Sequence, residues 1–253
     1  MNVFSIDENT YIIEYETPQI SKPAYLLVGL PDAGLVGEIA TEYIIRKFKL
    51  KLFSSVYIPK LLPPISKINN GIANSPIELY YGNNLIVLHS WIAVSLDAIY
   101  SIAKIIINYA KKYKIDTILS LTGFPIQNRL DIEKPSLYWI TNTLDLAEEM
   151  SKFSEIKKFG DGYLAGPYAP ILLESIKEGI RNLVIVTESF SDLPDPEASA
   201  LALSFISKYI GIEIDTSDLL KEAEEIREKI RGLMEQTRRQ MPTYALGRPS
   251  SYV

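Results

Sequence analysis

Ala24-Tyr25-Leu26-Leu27-Val28-Gly29-Leu30 runs straight into Pro31-Asp32-Ala33-Gly34-Leu35-Val36-Gly37-Glu38. The first half is a continuous apolar run of strand length, the pattern of a strand buried on both faces. The second half turns. From Gly34 to Phe48 the apolar positions Leu35, Ile39, Ala40, Tyr43, Ile44 and Phe48 then recur at helical spacing. Buried strand, glycine turn and helix in succession are the opening of an α/β unit.

The same alternation continues along the chain. Leu50–Ile58, Leu85–His89, Ile115–Thr122, Leu137–Thr141 and Leu183–Thr187 read as strands. Ser95–Tyr113 reads as a helix with Leu96, Ile99, Ile102, Ala103, Ile106, Tyr109 and Ala110 on one face. Pro167 or Pro170 starts another helix that runs to about Lys177 and ends at Gly179. A further helix spans Pro196–Tyr209, with Gly211 just past its end. Asn69-Asn70-Gly71 has the chemistry of a hairpin turn, with Ile77–Tyr81 expected as its return strand. The expectation is an α/β fold with helices on both faces of a mostly parallel mixed sheet, joined by right-handed crossovers.

The C-terminal part differs. Asp215-Thr216-Ser217-Asp218 offers N-caps for one long charged helix reaching Met241. Leu219, Ala223, Ile226, Ile230 and Leu233 form a seam of coiled-coil spacing, which suits either its own domain or another subunit. Pro242 stops it, and residues 242–253 (PTYALGRPSSYV) read as a mobile tail. The chain thus divides into 1–214, an α/β domain; 215–241, the charged helix; and 242–253, the tail.

Composition narrows the chemistry. The 253 residues are 47% hydrophobic and 23% charged, an ordinary globular balance. A net charge of −5 disfavours nucleic-acid or anionic-membrane binding as the main role. No apolar run approaches the ~18–20 residues of a membrane span, and the acidic start lacks signal-peptide character, so a cytoplasmic protein is expected. Zero Cys excludes disulfides, thiol nucleophiles and Cys-based metal sites, and a single His, His89, leaves no His-rich metal site. No metal or cofactor is expected.

The strand ends hold the remaining candidates. The Gly29–Glu38 turn is not G-x-G-x-x-G and lacks the Gly-Lys-Ser/Thr of a P-loop. No Lys or Arg occurs between Lys22 and Arg46, so it reads as a tight turn with Asp32 capping the helix rather than a phosphate cradle. Glu188, Asp192, Asp195 and Glu197 form an acidic stretch that reads as a cap for the Pro196 helix. Ser90 is not in a nucleophile elbow. An enzyme would have to bring Asp32, His89, Thr122, Glu188 and Asp195 into one concave site.

Gly29-x-Pro31-Asp32-x-Gly34-x-Val36-Gly37, Thr122-Gly123-x-Pro125, the Gly162–Gly166 turn before Pro167, and Glu188 followed by Asp195 and Ala198 resemble the proteasome assembly chaperone family, specifically its archaeal homologues, over residues 24–210. The resemblance implies a three-layer, phosphorylase/hydrolase-like α/β/α sandwich without a recognised active site. It implies a binding protein that associates with itself, or with a paralogous chaperone subunit, and with α-subunits of the proteasome core particle. It also assigns Ser251-Tyr252-Val253 to docking, because family members end in a hydrophobic–Tyr–any tripeptide. The Tyr ring fills a pocket between α-subunits, and the terminal carboxylate pairs with a Lys there. Tyr252 is penultimate as required, but Ser251 stands where the hydrophobic residue belongs. An apolar contribution of ~1.5–3 kcal/mol is therefore missing. Twelve flexible residues reach about 20 Å, and several tails on one oligomer add by avidity.

Overall fold

The computed structural model describes residues 1–221. In chain order the strands are β1 (Asn2–Asp7), β2 (Thr10–Glu14), β3 (Tyr25–Gly29), β4 (Lys51–Tyr57), β5 (Lys67–Asn69), β6 (Ile72–Asn74), β7 (Ile77–Gly82), β8 (Leu85–Ser90), β9 (Thr117–Pro125), β10 (Leu137–Thr141), β11 (Lys157–Lys158) and β12 (Asn182–Ser189). The helices are α1 (Val36–Lys47), α2 (Leu96–Lys112), α3 (Leu144–Met150), α4 (Tyr168–Glu178) and α5 (Pro196–Ile210).

Ten strands form one mixed sheet in the order β1-β2-β4-β7-β8-β3-β9-β12-β10-β11. Strands β8, β3, β9 and β12 at its centre are parallel to one another. These are the continuous apolar runs, because a central parallel strand is covered on both faces. Leu27, Val87, Leu119, Leu121 and Ile185 pack into one core with side chains of α1, α3 and α5. Leu26, Val28, Ile86, Leu88 and Ile118 point the other way, into a second core with α2 and α4. Burying alternate residues in two separate cores is the period-2 geometry of a strand.

The structure differs from the sequence pattern in three respects. Parallel pairing is confined to the centre and to β10–β11; β1–β2, β2–β4, β4–β7, β7–β8 and β10–β12 are antiparallel, so the sheet is not mostly parallel. The Asn70-Gly71 turn has both residues at positive φ (48° and 78°), but it closes the small β5–β6 hairpin. The expected return strand, β7, instead pairs with β4 and β8 inside the main sheet. The amino-terminal β1–β2 hairpin and α3 carry no clear periodic signal in the sequence.

Helix limits follow local chemistry. Pro167 occupies the N-cap of α4, and Gly179 ends it at φ 66°. Asp195 caps α5 by accepting from the Ala198 N–H, Pro196 sits in the first turn, and Gly211 closes the helix at φ 71°. Helical structure resumes at Ser217, whose N–H is capped by Asp215 Oδ1 at 3.0 Å. This helix start is docked on α1. Tyr43 donates to the Asp215 carbonyl at 2.6 Å, Lys47 pairs with Asp218 at 3.2 Å, and Leu219 is buried in the α1–α5 core. The rest of the seam and the tail, including Ser251, Tyr252 and Val253, lie outside the described residues.

Candidate functional site

The parallel strands all end on one side of the sheet, and the glycine turn sits there. Gly29 ends β3, Leu35 and Gly34 have positive φ, and α1 begins at Val36. The glycines of this turn serve close packing. A Cβ on Gly29 would strike Thr41 and the Gly37 carbonyl, and one on Gly37 would strike the Leu121 carbonyl and the Tyr168 hydroxyl. A Cβ on Gly34 would lie 2.7 Å from Ser189 Cβ, and one on Gly123 would strike the Ala33 carbonyl. The turn is thus wedged against β9, β12 and α4. Tyr168, fully buried, locks it: the Leu30 N–H donates to the Tyr168 oxygen at 2.9 Å, and the Tyr168 hydroxyl donates to the Leu30 carbonyl at 3.1 Å.

A Gly123→Ala variant is expected to lose about 1–3 kcal/mol of stability by overpacking. Gly160→Ala is the control, since nothing lies within 4 Å of its added methyl. Urea denaturation compares the two; equal midpoints would contradict this account of Gly123.

Of the five side chains an enzyme would need to assemble, two meet. Thr122 donates its hydroxyl to Asp32 Oδ2, while Asp32 Oδ1 is buried without a hydrogen-bond partner. Burial pushes the Asp32 carboxyl up to about 7, against the lowering effect of the Thr122 hydroxyl and the Gly123 N–H. Asp32 does not cap α1 through its side chain, as the sequence suggested.

The other three are engaged by other partners. His89 is fully buried, with Nδ1 2.8 Å from Thr41 Oγ1 and its ring against Trp91. Burial, with Lys67 nearby, lowers it to about 3, so it is neutral at pH 7 and not poised as a base. Glu188 accepts from the Ser136 N–H at 2.8 Å and the Tyr138 hydroxyl at 3.0 Å. Asp195 is held by Arg129, through Nε at 2.7 Å and Nη2 at 3.1 Å. That guanidinium also donates to Glu197 at 2.8 Å and to the Ile132 carbonyl at 3.0 Å, and lies over the Phe190 ring. Nothing in the local sequence around Arg129 distinguishes it from a surface loop residue, yet it is 1% exposed.

Beside the turn lies a cavity of about 330 Å³. Asp32, Thr122, Gly123 and Pro125 contribute to its lining, together with Phe124, Phe159 and Tyr163. Phe159 meets Phe124 and Tyr138 edge to face, at 5.8 and 5.9 Å. Phe159 and Tyr163 come from the loop before α4, which sequence periodicity does not relate to the strand ends. Among the described residues, no group of three or more acidic or histidine side chains is placed to hold a metal ion.

The fold and site define a class: an α/β protein whose strand-end glycine turn is packed shut beside a largely apolar cavity. The chain belongs to the PAC2 family, whose model matches residues 26–234. It is 27% identical over 239 residues to an uncharacterised protein of Methanocaldococcus jannaschii, spanning 92% of this chain and 94% of that one. It is similar to the crystal structure of Pyrococcus furiosus PbaA, an archaeal homolog of proteasome-assembly chaperone, at 28% identity and a TM-score of 0.79. That match covers 94% of this chain and all of PbaA (100%). In fold it also matches Pyrococcus furiosus PbaB, an archaeal proteasome activator, at 24% identity and a TM-score of 0.80, over 90% of this chain and 100% of PbaB. The resemblance carried by the motif residues is therefore shown.

Proposed function

We propose that this chain is a non-enzymatic proteasome-assembly chaperone or adaptor that self-associates in the cytoplasm and binds the α-ring of the proteasome core particle. The observation that carries this reading is the similarity to PbaA along nearly the whole of both chains. The motif residues Gly29, Pro31, Asp32, Gly34, Gly37, Gly123 and Pro125 then have a structural task, to seal the turn at the strand ends. Ser251, Tyr252 and the Val253 carboxylate supply the docking arm, and the segments 1–214, 215–241 and 242–253 are body, helix and arm. Partners are proteins, neither nucleic acid nor membrane. Among the described residues no helix is long and apolar enough to cross a bilayer. The alternative, a phosphorylase- or hydrolase-type enzyme, is weakened because His89, Glu188 and Asp195 are each engaged by other partners and do not line the cavity beside Asp32 and Thr122.

The test is retention of archaeal core particles on immobilised full-length protein and on protein lacking residues 252–253. Full-length protein is expected to retain the core, and the truncation to lose at least about tenfold of it, as removal of a buried aromatic anchor requires. Equal retention would remove the tail mechanism. No retention by either would remove the proteasome reading.

A further inference from the structure

The cavity beside the glycine turn joins two features that the docking reading does not use. Its floor holds a desolvated carboxyl group, Asp32, whose described partners are one hydroxyl and one backbone N–H. Its lining is mostly apolar: Ile140, Leu164 and Val186 join the ring of Phe159, with Tyr163 fully exposed and Phe124 half exposed at the rim. No Lys or Arg lines it among the described residues. A volume of about 330 Å³ lies at the small end of the range for ligand cavities.

Each property restricts the occupant. An anion is disfavoured, because the lining carries the Asp32 carboxyl and no cation to answer it. A neutral apolar group fits the walls but leaves the carboxyl uncompensated. A positive charge answers both. It favours ionised Asp32 from ~4–6 Å away without needing to touch the shielded Oδ1. The rings of Phe124, Phe159 and Tyr163 in the lining offer it cation–π contacts as well.

We propose that this cavity is a binding site for an organic cation: an ammonium or guanidinium group carried on a compact apolar body. Either a free amine or a basic side chain presented by another protein has this chemistry. The assignment is independent of the proteasome reading.

The probe is benzylammonium, with benzyl alcohol and benzoate as neutral and anionic counterparts of the same shape. A blocked arginine-containing tetrapeptide stands for the side-chain source. Binding is followed by calorimetry and by the ring resonances of Phe124, Phe159 and Tyr163. At least one cation is expected to bind saturably and to shift those rings. The alcohol and benzoate should bind at least about tenfold more weakly. Asp32→Asn should cost the cation at least about tenfold while leaving the alcohol unchanged. Phe159→Ala should weaken the cation too. Binding of benzylammonium identifies a free amine as sufficient; binding of the peptide alone identifies a protein side chain. The proposal is overturned if neither cation binds by about 10 mM, a Kd already worth under ~3 kcal/mol. It is equally overturned if the alcohol binds as well as the cation, or if Asp32→Asn binds as tightly as the parent.

Discussion

Arg129→Met costs about 3–5 kcal/mol of folding stability at neutral pH, far more than an ordinary surface change. Arg129 begins a short 3-10 turn (Arg129–Asp131) yet is 1% exposed, and it bridges Asp195 and Glu197 while donating to the Ile132 carbonyl. Methionine fills much of the same volume but carries no charge. Asp195 would remain buried with only the Phe190 and Ala198 N–H groups as donors. An uncompensated buried carboxylate explains the size of the loss. The double variant Arg129→Met/Asp195→Asn is expected to recover part of it, because the orphaned charge is gone and the amide oxygen still caps α5. Urea denaturation of both variants measures this. A double variant no more stable than the single one would show that packing, and not the buried charge, dominates.

Asp32→Asn acts in the opposite direction and makes stability less dependent on pH. The ordinary value for this carboxyl is 3.8, and burial raises it to about 7 in the fold. The unfolded chain therefore ionises first as pH rises. Asp32 is harmless to stability below its ordinary value, and its contribution becomes progressively unfavourable up to about pH 7. A gap of roughly three units corresponds to at most ~4 kcal/mol, fully expressed above neutrality. The neighbouring acids do not relieve it: the Tyr168 hydroxyl and Glu38 are both raised by burial, and Asp195 is committed to Arg129. Asparagine can keep the acceptor for Thr122 without the ionisation cost. The variant is expected to be more stable at pH 8 by up to that amount, to match the parent near pH 4, and to flatten the slope between. Equal slopes for the two proteins would mean that Asp32 ionises normally. The same variant should lose the cation, so gained stability and lost binding would separate a site residue from a structural one.

A carboxyl that destabilises the free protein is relieved when a cation occupies the cavity, since a ligand stabilises the state it binds.

What the residues by themselves determined was local or periodic. The apolar runs Tyr25–Gly29, Leu85–His89 and Leu183–Thr187 declare buried strands, because only a strand covered on both faces tolerates unbroken hydrophobicity. Pro167, Gly179, Pro196 and Gly211 mark helix ends through backbone geometry that any context must respect. The glycine turn was legible as a tight junction poor in cations. Tertiary structure alone decided the rest. Pairing of β7 with β4 and β8, and not across the Asn70 turn, depends on which strands the folded sheet places beside it. The burial of Arg129 is set by Asp195, sixty-six residues away. The cavity joins Asp32 and Thr122 to Phe159 and Tyr163, and no spacing in the sequence encodes that meeting. Short-range preferences fix the shape of each element, whereas the charge environment of a side chain is set by whichever elements the folded sheet places beside it.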